Sequence, residues 1–180
     1  MRDKKFVVIV AGIGDALCSD SSRKKIRNNN ELVEKVKSTL EFLTKDHTNY
    51  SIVNFHYPSD TLKDVNVFKD YPDTKVVDMK IHSDTLIVKD NEMTIIDHDG
   101  EELLFNGDSF DFIFRPEEYE VYICGIDLHG ILKKTIEDLL EKDFKVSVFS
   151  NCLNAMPATY KYISSQQRNK NFDFCSYKSV

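Results

Sequence analysis

Five consecutive strand-forming residues, Phe6-Val7-Val8-Ile9-Val10, stand near the start of the chain with no polar residue among them. β-Branched side chains favour extended backbone, and a strand wetted on one face would alternate apolar with polar residues. The unbroken run therefore predicts a strand buried on both faces, the central position of a parallel sheet. Ala11-Gly12-Ile13-Gly14 ends it in a tight turn. Such a strand needs helices above and below it, and 180 residues are enough to supply them. A chain this long buries roughly 70% of the surface it exposes when unfolded, so its core requires neither a structural metal nor a disulfide.

Downstream, Val33, Val36, Leu40 and Leu43 recur at helical spacing while Glu34, Lys35, Lys37 and Glu41 face away. Tyr50 to Phe55 reads as the next strand, so the chain opens with a β-α-β unit, expected to cross over right-handed. Between His56 and Arg115 the pattern is broken by Pro58, Pro72 and Asp-rich stretches around the strand-like segments Thr85–Val88 and Met93–Ile96. Order returns with a buried strand at Glu120–Gly125, then a helix from Leu128 to Lys142 whose stripe is Ile131, Leu132, Thr135, Ile136, Leu139 and Leu140. A strand at Phe144–Phe149, a helix at Asn154–Ser165 and a last strand at Phe172–Cys175 follow. This alternation predicts an α/β fold, a doubly wound, mostly parallel sheet with helices on both faces, and function at the carboxyl ends of its strands. No linker, repeat or low-complexity segment divides the chain, which reads as one domain over residues 1–180; Asn28-Asn29-Asn30 is a short polar run before a helix.

Charge and cysteine usage remove several function classes. Lys and Arg number 24 against 30 Asp and Glu, a net charge of −6 whose field repels phosphate backbones, so nucleic acid is not an expected partner. The basic cluster Arg23, Lys24, Lys25 and Arg27 reads as a solvated helix entry rather than an anion patch. No apolar run reaches the ~18 residues of a membrane span, and Met1 to Lys5 lacks a signal-peptide pattern, so a cytoplasmic protein without membrane association is expected. Cys18, Cys124, Cys152 and Cys175 are scattered without a C-x-x-C spacing, which argues against a zinc site or a disulfide framework. Without an export signal, the Asn49-Tyr50-Ser51 sequon carries no weight.

The stretch from Val121 to Asn151 resembles the signature of the isochorismatase-like cysteine hydrolases, the superfamily that includes nicotinamidases. Its strand, Gly125, Thr135 within the following helix, and the strand ending at Ser150-Asn151 all fall in register with that signature. Val7 to Asp15 resembles the family's first strand and its Asp-x-Gln-Asn-Asp turn. The Met156–Ile163 helix and the Phe172–Cys175 strand also stand where the family places them. The likeness is strongest over 121–151 and weakest between His56 and Arg115.

The chemistry that the resemblance implies is largely missing from these positions. A cysteine hydrolase needs a thiolate at a helix N-terminus, an acid to shuttle its proton and a lysine to keep it ionised. Counted from Gly125, the nucleophile position is Ile131, and counted along the first strand the acid position is Ala11. Lys89, with Lys80 behind it, is the remaining candidate for the lysine. Asp15 matches the turn's second Asp, a loop residue rather than a catalytic one. Nicotinamidases bind a metal through an Asp and two His after the second strand; here Asn54-Phe55-His56-Tyr57-Pro58 offers a His without the Asp, so neither metal nor cofactor is expected.

The other candidates are each weighed against a plain structural role. Cys124 lies in a buried-strand run, where a free cysteine behaves as a small hydrophobe rather than a displaced nucleophile. His129 either lines a ligand pocket or is an exposed residue entering the helix. Asp127 either joins that pocket or caps the same helix. Gly12-Ile13-Gly14 is half of a dinucleotide fingerprint and lacks the third glycine. His98-Asp99-Gly100 reads as a hairpin turn rather than part of a phosphohydrolase motif. Cys18 beside Asp15 has no neighbouring base to activate it.

The resemblance with its catalytic positions replaced implies a pseudoenzyme, leaning away from enzymatic activity, that binds a small molecule or a protein. Its pocket would be formed by Ala11, Lys89, Asp127, His129 and Ile131. Replacing an acid and a thiol by Ala and Ile favours an apolar ligand or a plugged core. The family's habit of oligomerising implies a homo-oligomer or a protein partner. Two alternatives stand beside it: an active isochorismatase- or nicotinamidase-like hydrolase with a displaced site, and an unrelated α/β nucleotide-binding or regulatory module.

Overall fold

A computed structural model describes residues 5–20, 29–57, 60–78, 104–105, 108–127 and 130–176. The strands in chain order are β1 (Lys5–Ala11), β2 (Tyr50–His56), β3 (Lys75–Asp78), β4 (Leu104–Phe105), β5 (Asp108–Ser109), β6 (Tyr119–Ile126), β7 (Lys145–Asn154) and β8 (Phe172–Cys175). The helices are α1 (Asp15–Cys18), α2 (Asn29–Thr44), α3 (Phe110–Ile113), α4 (Ile131–Glu141) and α5 (Pro157–Gln166). Six strands form one sheet in the order β3-β2-β1-β6-β7-β8, with every neighbouring pair parallel. β4 and β5 make a separate antiparallel pair.

The uninterrupted apolar run lies where its composition predicts. β1 sits between β2 and β6, and Val7 to Ala11 have no exposure to solvent. Alternate residues serve opposite layers, as the period of a strand requires. Val7, Ile9 and Ala11, with Val53, Phe55 and Ile123, pack against α4 through Ile131, Leu132, Ile136 and Leu139, and against Phe110 and Phe114. Val8 and Val10, with Cys124, Phe149 and Cys152, pack against α2 through Leu32, Val33, Val36 and Leu40. Burying each such side chain contributes roughly 1.5–3 kcal/mol, so the two layers hold the sheet from both sides.

Several element boundaries differ from the periodicity. α4 begins at Ile131 rather than Leu128, because Gly130 before it adopts φ 79°, a left-handed conformation that a right-handed helix cannot contain. β7 runs on past Phe149 to Asn154: its partner changes from Ile123 opposite Val148 to Gly125 opposite Leu153, so β7 carries extra residues in a bulge before it resumes pairing. The last helix starts at Pro157 rather than Asn154, since a residue preceding proline is driven extended, as Met156 is at ψ 153°, and proline suits the first helical turn. Asn29 and Asn30 lie within α2 rather than before it.

The basic cluster Arg23–Arg27, Lys80, Lys89, the segments Thr85–Val88 and Met93–Ile96, His98-Asp99-Gly100 and His129 lie outside the described residues. No helix among the described residues is long and apolar enough to cross a membrane.

Candidate functional site

The carboxyl ends of β1 and β6 meet at Ala11 and Gly125, which stand opposite each other in the sheet register. From there the chain turns through Asp127 and Gly130 into α4, whose first residue is Ile131. Ala11 is fully buried and Ile131 is 2% exposed, and both belong to one apolar cluster with Phe55, Phe110 and Leu153. A methyl and a sec-butyl group thus occupy the positions that resemblance would give to a carboxylate and a thiol. Neither can accept or donate a proton, and neither can attack a carbonyl carbon.

The N-terminus of α4 is satisfied from within the chain. Asp127, 4% exposed, accepts the Leu132 amide through Oδ1 at 2.8 Å and the Thr159 hydroxyl through Oδ2. Its own amide donates to the Asn154 carbonyl at 2.8 Å. The carboxylate faces the positive end of the helix dipole and ties α4 to α5, so the capping role weighed for this residue is present in the structure. Asn154 also donates from its side chain to Asn29 at 3.4 Å, and Asn29 donates to the Leu17 carbonyl at 2.8 Å. These bonds join β7, α2 and α1 around the carboxyl edge of the sheet.

A second knot closes the turn after β1. The Asp15 carboxylate accepts the Thr61 hydroxyl at 2.5 Å, the Lys63 amide, and the amides of Asp64 and Val65 at 2.8 and 2.6 Å. Asp60 answers by accepting the Asp15 amide at 2.7 Å. Partial burial pushes the Asp15 carboxyl upward, but the bonds from Thr61, Lys63, Val65 and Asp64 outweigh it and hold it below the usual carboxylate value. Asp60 also fills the space beside Gly14, where a β-carbon would lie 1.5 Å from its Oδ2. The Asp60 carboxylate thus puts a negative charge against the Gly12-Ile13-Gly14 turn, where a nucleotide phosphate would have to sit.

The thiols are placed for packing. Cys124 is fully buried on the α2 side of the sheet, opposite the layer that holds Ala11 and Ile131. Burial, reinforced by the nearby Cys152, pushes its thiol well above the ordinary range. Cys152 is also raised by burial, against the opposing influence of Thr39, whose hydroxyl lies 3.0 Å from its sulfur, and of Lys35. Cys175 is pushed up to about 12 by burial and by Asp173. Cys18 is buried with its sulfur 3.9 Å from the Gly12 carbonyl oxygen. A nucleophilic thiolate requires the opposite shift.

His56 ends β2, and among the described residues no group of three His, Cys, Asp or Glu side chains could hold a metal ion. Thr159, Asn154 and Asp60 were not legible as partners of Asp127, Asn29 and Asp15, because each pair is far apart in sequence and each residue alone resembles an ordinary polar loop or helix position.

The six-stranded parallel sheet between helix layers is a fold shared with solved structures of isochorismatase-like and cysteine hydrolases. Solved structures with this fold match nearly the whole chain. N-carbamoylsarcosine amidase from Thermoplasma acidophilum superposes with a TM-score of 0.64 at 13% identity, over 98% of each chain. A cysteine hydrolase from Pseudomonas syringae pv. phaseolicola gives 0.65 at 12% identity, covering 98% of this chain and 90% of its own. An isochorismatase-like hydrolase from Alkaliphilus metalliredigens gives 0.62 at 9% identity, covering 97% and 96%. No protein-family model matches the chain, and no curated protein matches it in sequence.

Proposed function

We propose that this protein is a pseudoenzyme on the isochorismatase-like fold, acting in the cytoplasm by binding a small molecule or a protein partner, with self-association as one form of that pairing. The observation that carries the reading is the burial of Ala11 and Ile131 in one apolar cluster at the strand ends. Asp127 adds to it: the carboxylate nearest the helix entry holds Leu132 and Thr159 rather than facing an open cleft. In this reading the ligand pocket expected from the sequence also takes in Lys89 and His129.

The competing reading is an active hydrolase with a displaced site, favoured by the names of the structural relatives, an amidase and two hydrolases. The purified full chain offered amides, N-carbamoyl compounds and vinyl ethers distinguishes the two. The pseudoenzyme reading expects no turnover above a heat-denatured control, and iodoacetamide at pH 8 should alkylate Cys124 and Cys152 only after denaturation. Hydrolysis that disappears on Cys124→Ala overturns it.

A further inference from the structure

At the amino ends of the strands, remote from Ala11 and Gly125, the sheet leaves a gap. β1 pairs with β2 from Tyr50 onward, whereas β3 joins β2 only from Val53 onward. On its β3 side the β2 edge at Tyr50, Ser51 and Ile52 therefore has no strand beside it among the described residues. The chain before β3 does not fill the space, because it is folded on itself: the Tyr71 amide bonds to the Phe68 carbonyl at 2.8 Å, and Thr74 bonds to the Tyr71 carbonyl through its amide at 3.1 Å and its hydroxyl at 2.8 Å. What remains is a cleft of about 440 Å³, within the range of small-molecule sites.

Its walls combine aromatic rings with carboxylates. Tyr50 and Tyr71 line it and meet edge to face, with ring centroids 6.5 Å apart and planes at 81°. Both rings are packed in place by their neighbours. Tyr50 stacks on Phe6 at 5.9 Å, Phe6 meets His47 edge to face at 5.3 Å, and the Tyr71 hydroxyl lies 3.4 Å from that of Thr44. The exposed Asp70 and Asp73 bring two negative charges to the rim, against one positive charge from Lys75. The net charge of −6 adds to that bias toward cations.

We infer that this cleft is a binding site for a small organic cation, an amine or quaternary ammonium carrying an apolar group, with the cation set by Asp70 and Asp73 and the apolar part against Tyr50 and Tyr71. Ring faces attract a cation through their quadrupole, and nearby carboxylates add a charge partner. The site shares no residue with the strand-end cluster, so it stands whether or not the pseudoenzyme reading does.

The test is a titration of the ¹⁵N-labelled full chain with benzyltrimethylammonium, followed by amide shifts. Saturable shifts centred on Ser51, Tyr71 and Thr74 are expected, weakened at least tenfold by the surface double variant Asp70→Asn/Asp73→Asn and weakened by added salt. Benzoate should not compete. The inference is overturned by shifts that never saturate, by equal affinity in the double variant, or by benzoate binding as tightly as the cation.

Discussion

The carbonyl oxygen of Ala11 occupies the space that a β-carbon on Gly125 would need: the two atoms would stand 2.2 Å apart, with the Ala11 nitrogen at 2.7 Å. Gly125 also holds φ 112°, a conformation that L side chains rarely adopt. β1 and β6 can therefore close on each other at their carboxyl ends only with glycine at 125, and this closure brings the turn through Asp127 to the mouth of the sheet.

Gly125→Ala should destabilise the protein by about 3 kcal/mol, from backbone strain added to a clash that no side-chain rotation relieves. Chemical denaturation of the variant measures it. A loss within about 0.5 kcal/mol would mean that the strands separate there without cost.

Asp127 and Thr159 form a buried pair, and its two halves should cost unequally when removed. Asp127→Ala deletes the helix cap and the tie to α5, an expected loss of about 3 kcal/mol. Thr159→Val leaves the Leu132 bond in place and should cost about 1–2 kcal/mol. A double-mutant cycle in urea would expose the shared bond as a non-additive remainder, and strict additivity would show that Thr159 does not act through Asp127.

Asp15 makes stability depend on acid. Its folded pKa lies below the usual value of 3.8, so its contribution is complete above that value and is lost as pH falls through the folded one. Asp15→Asn keeps the size but not the charge, and should cost about 2 kcal/mol at pH 6. The gap between wild type and variant should close below about pH 4 as the wild-type carboxylate protonates. A gap that stays constant down to pH 3 would assign the effect to shape rather than ionisation.

Asn54 is 1% exposed, between Val10 and Val76 in the flanking strands, and among the described residues neither polar atom of its side chain has a hydrogen-bond partner. A buried amide without a partner carries a desolvation cost of about 1–3 kcal/mol. Asn54→Leu, which keeps the same count and branching of side-chain heavy atoms, should therefore raise stability by about 1 kcal/mol, read as a higher denaturation midpoint at unchanged m-value. A lower midpoint would assign the amide a structural bond of its own.

Several elements were legible because their signals are local. Phe6 to Val10 announced a doubly buried strand, and the spacing of Val33, Val36, Leu40 and Leu43 announced the face of α2, since strand and helix periods act over a few residues. Ile131, counted from Gly125, and Ala11, counted along the first strand, were readable as the positions that the resemblance gives to the nucleophile and the acid, because a motif holds its spacing along the chain. Boundaries were less readable. The left-handed Gly130 and the bulge after Val148 are backbone states that many sequences tolerate, and the neighbouring strand and helix select them.

Residue order alone was enough to specify alternating strands and helices, a central position for β1, and aliphatic residues at Ala11 and Ile131. Tertiary structure decided what surrounds those residues: that Ala11 and Ile131 share one apolar cluster, that Cys124 faces the other layer, and that Asp127 accepts bonds from Leu132 and Thr159. It also opened the Tyr50–Tyr71 cleft by pairing β3 with only part of β2. The division has one physical cause. Periodicity is set by backbone geometry within a few residues, whereas a pocket, a cap or a buried pair is set by contacts between residues distant in the chain, which exist only once the layers have closed.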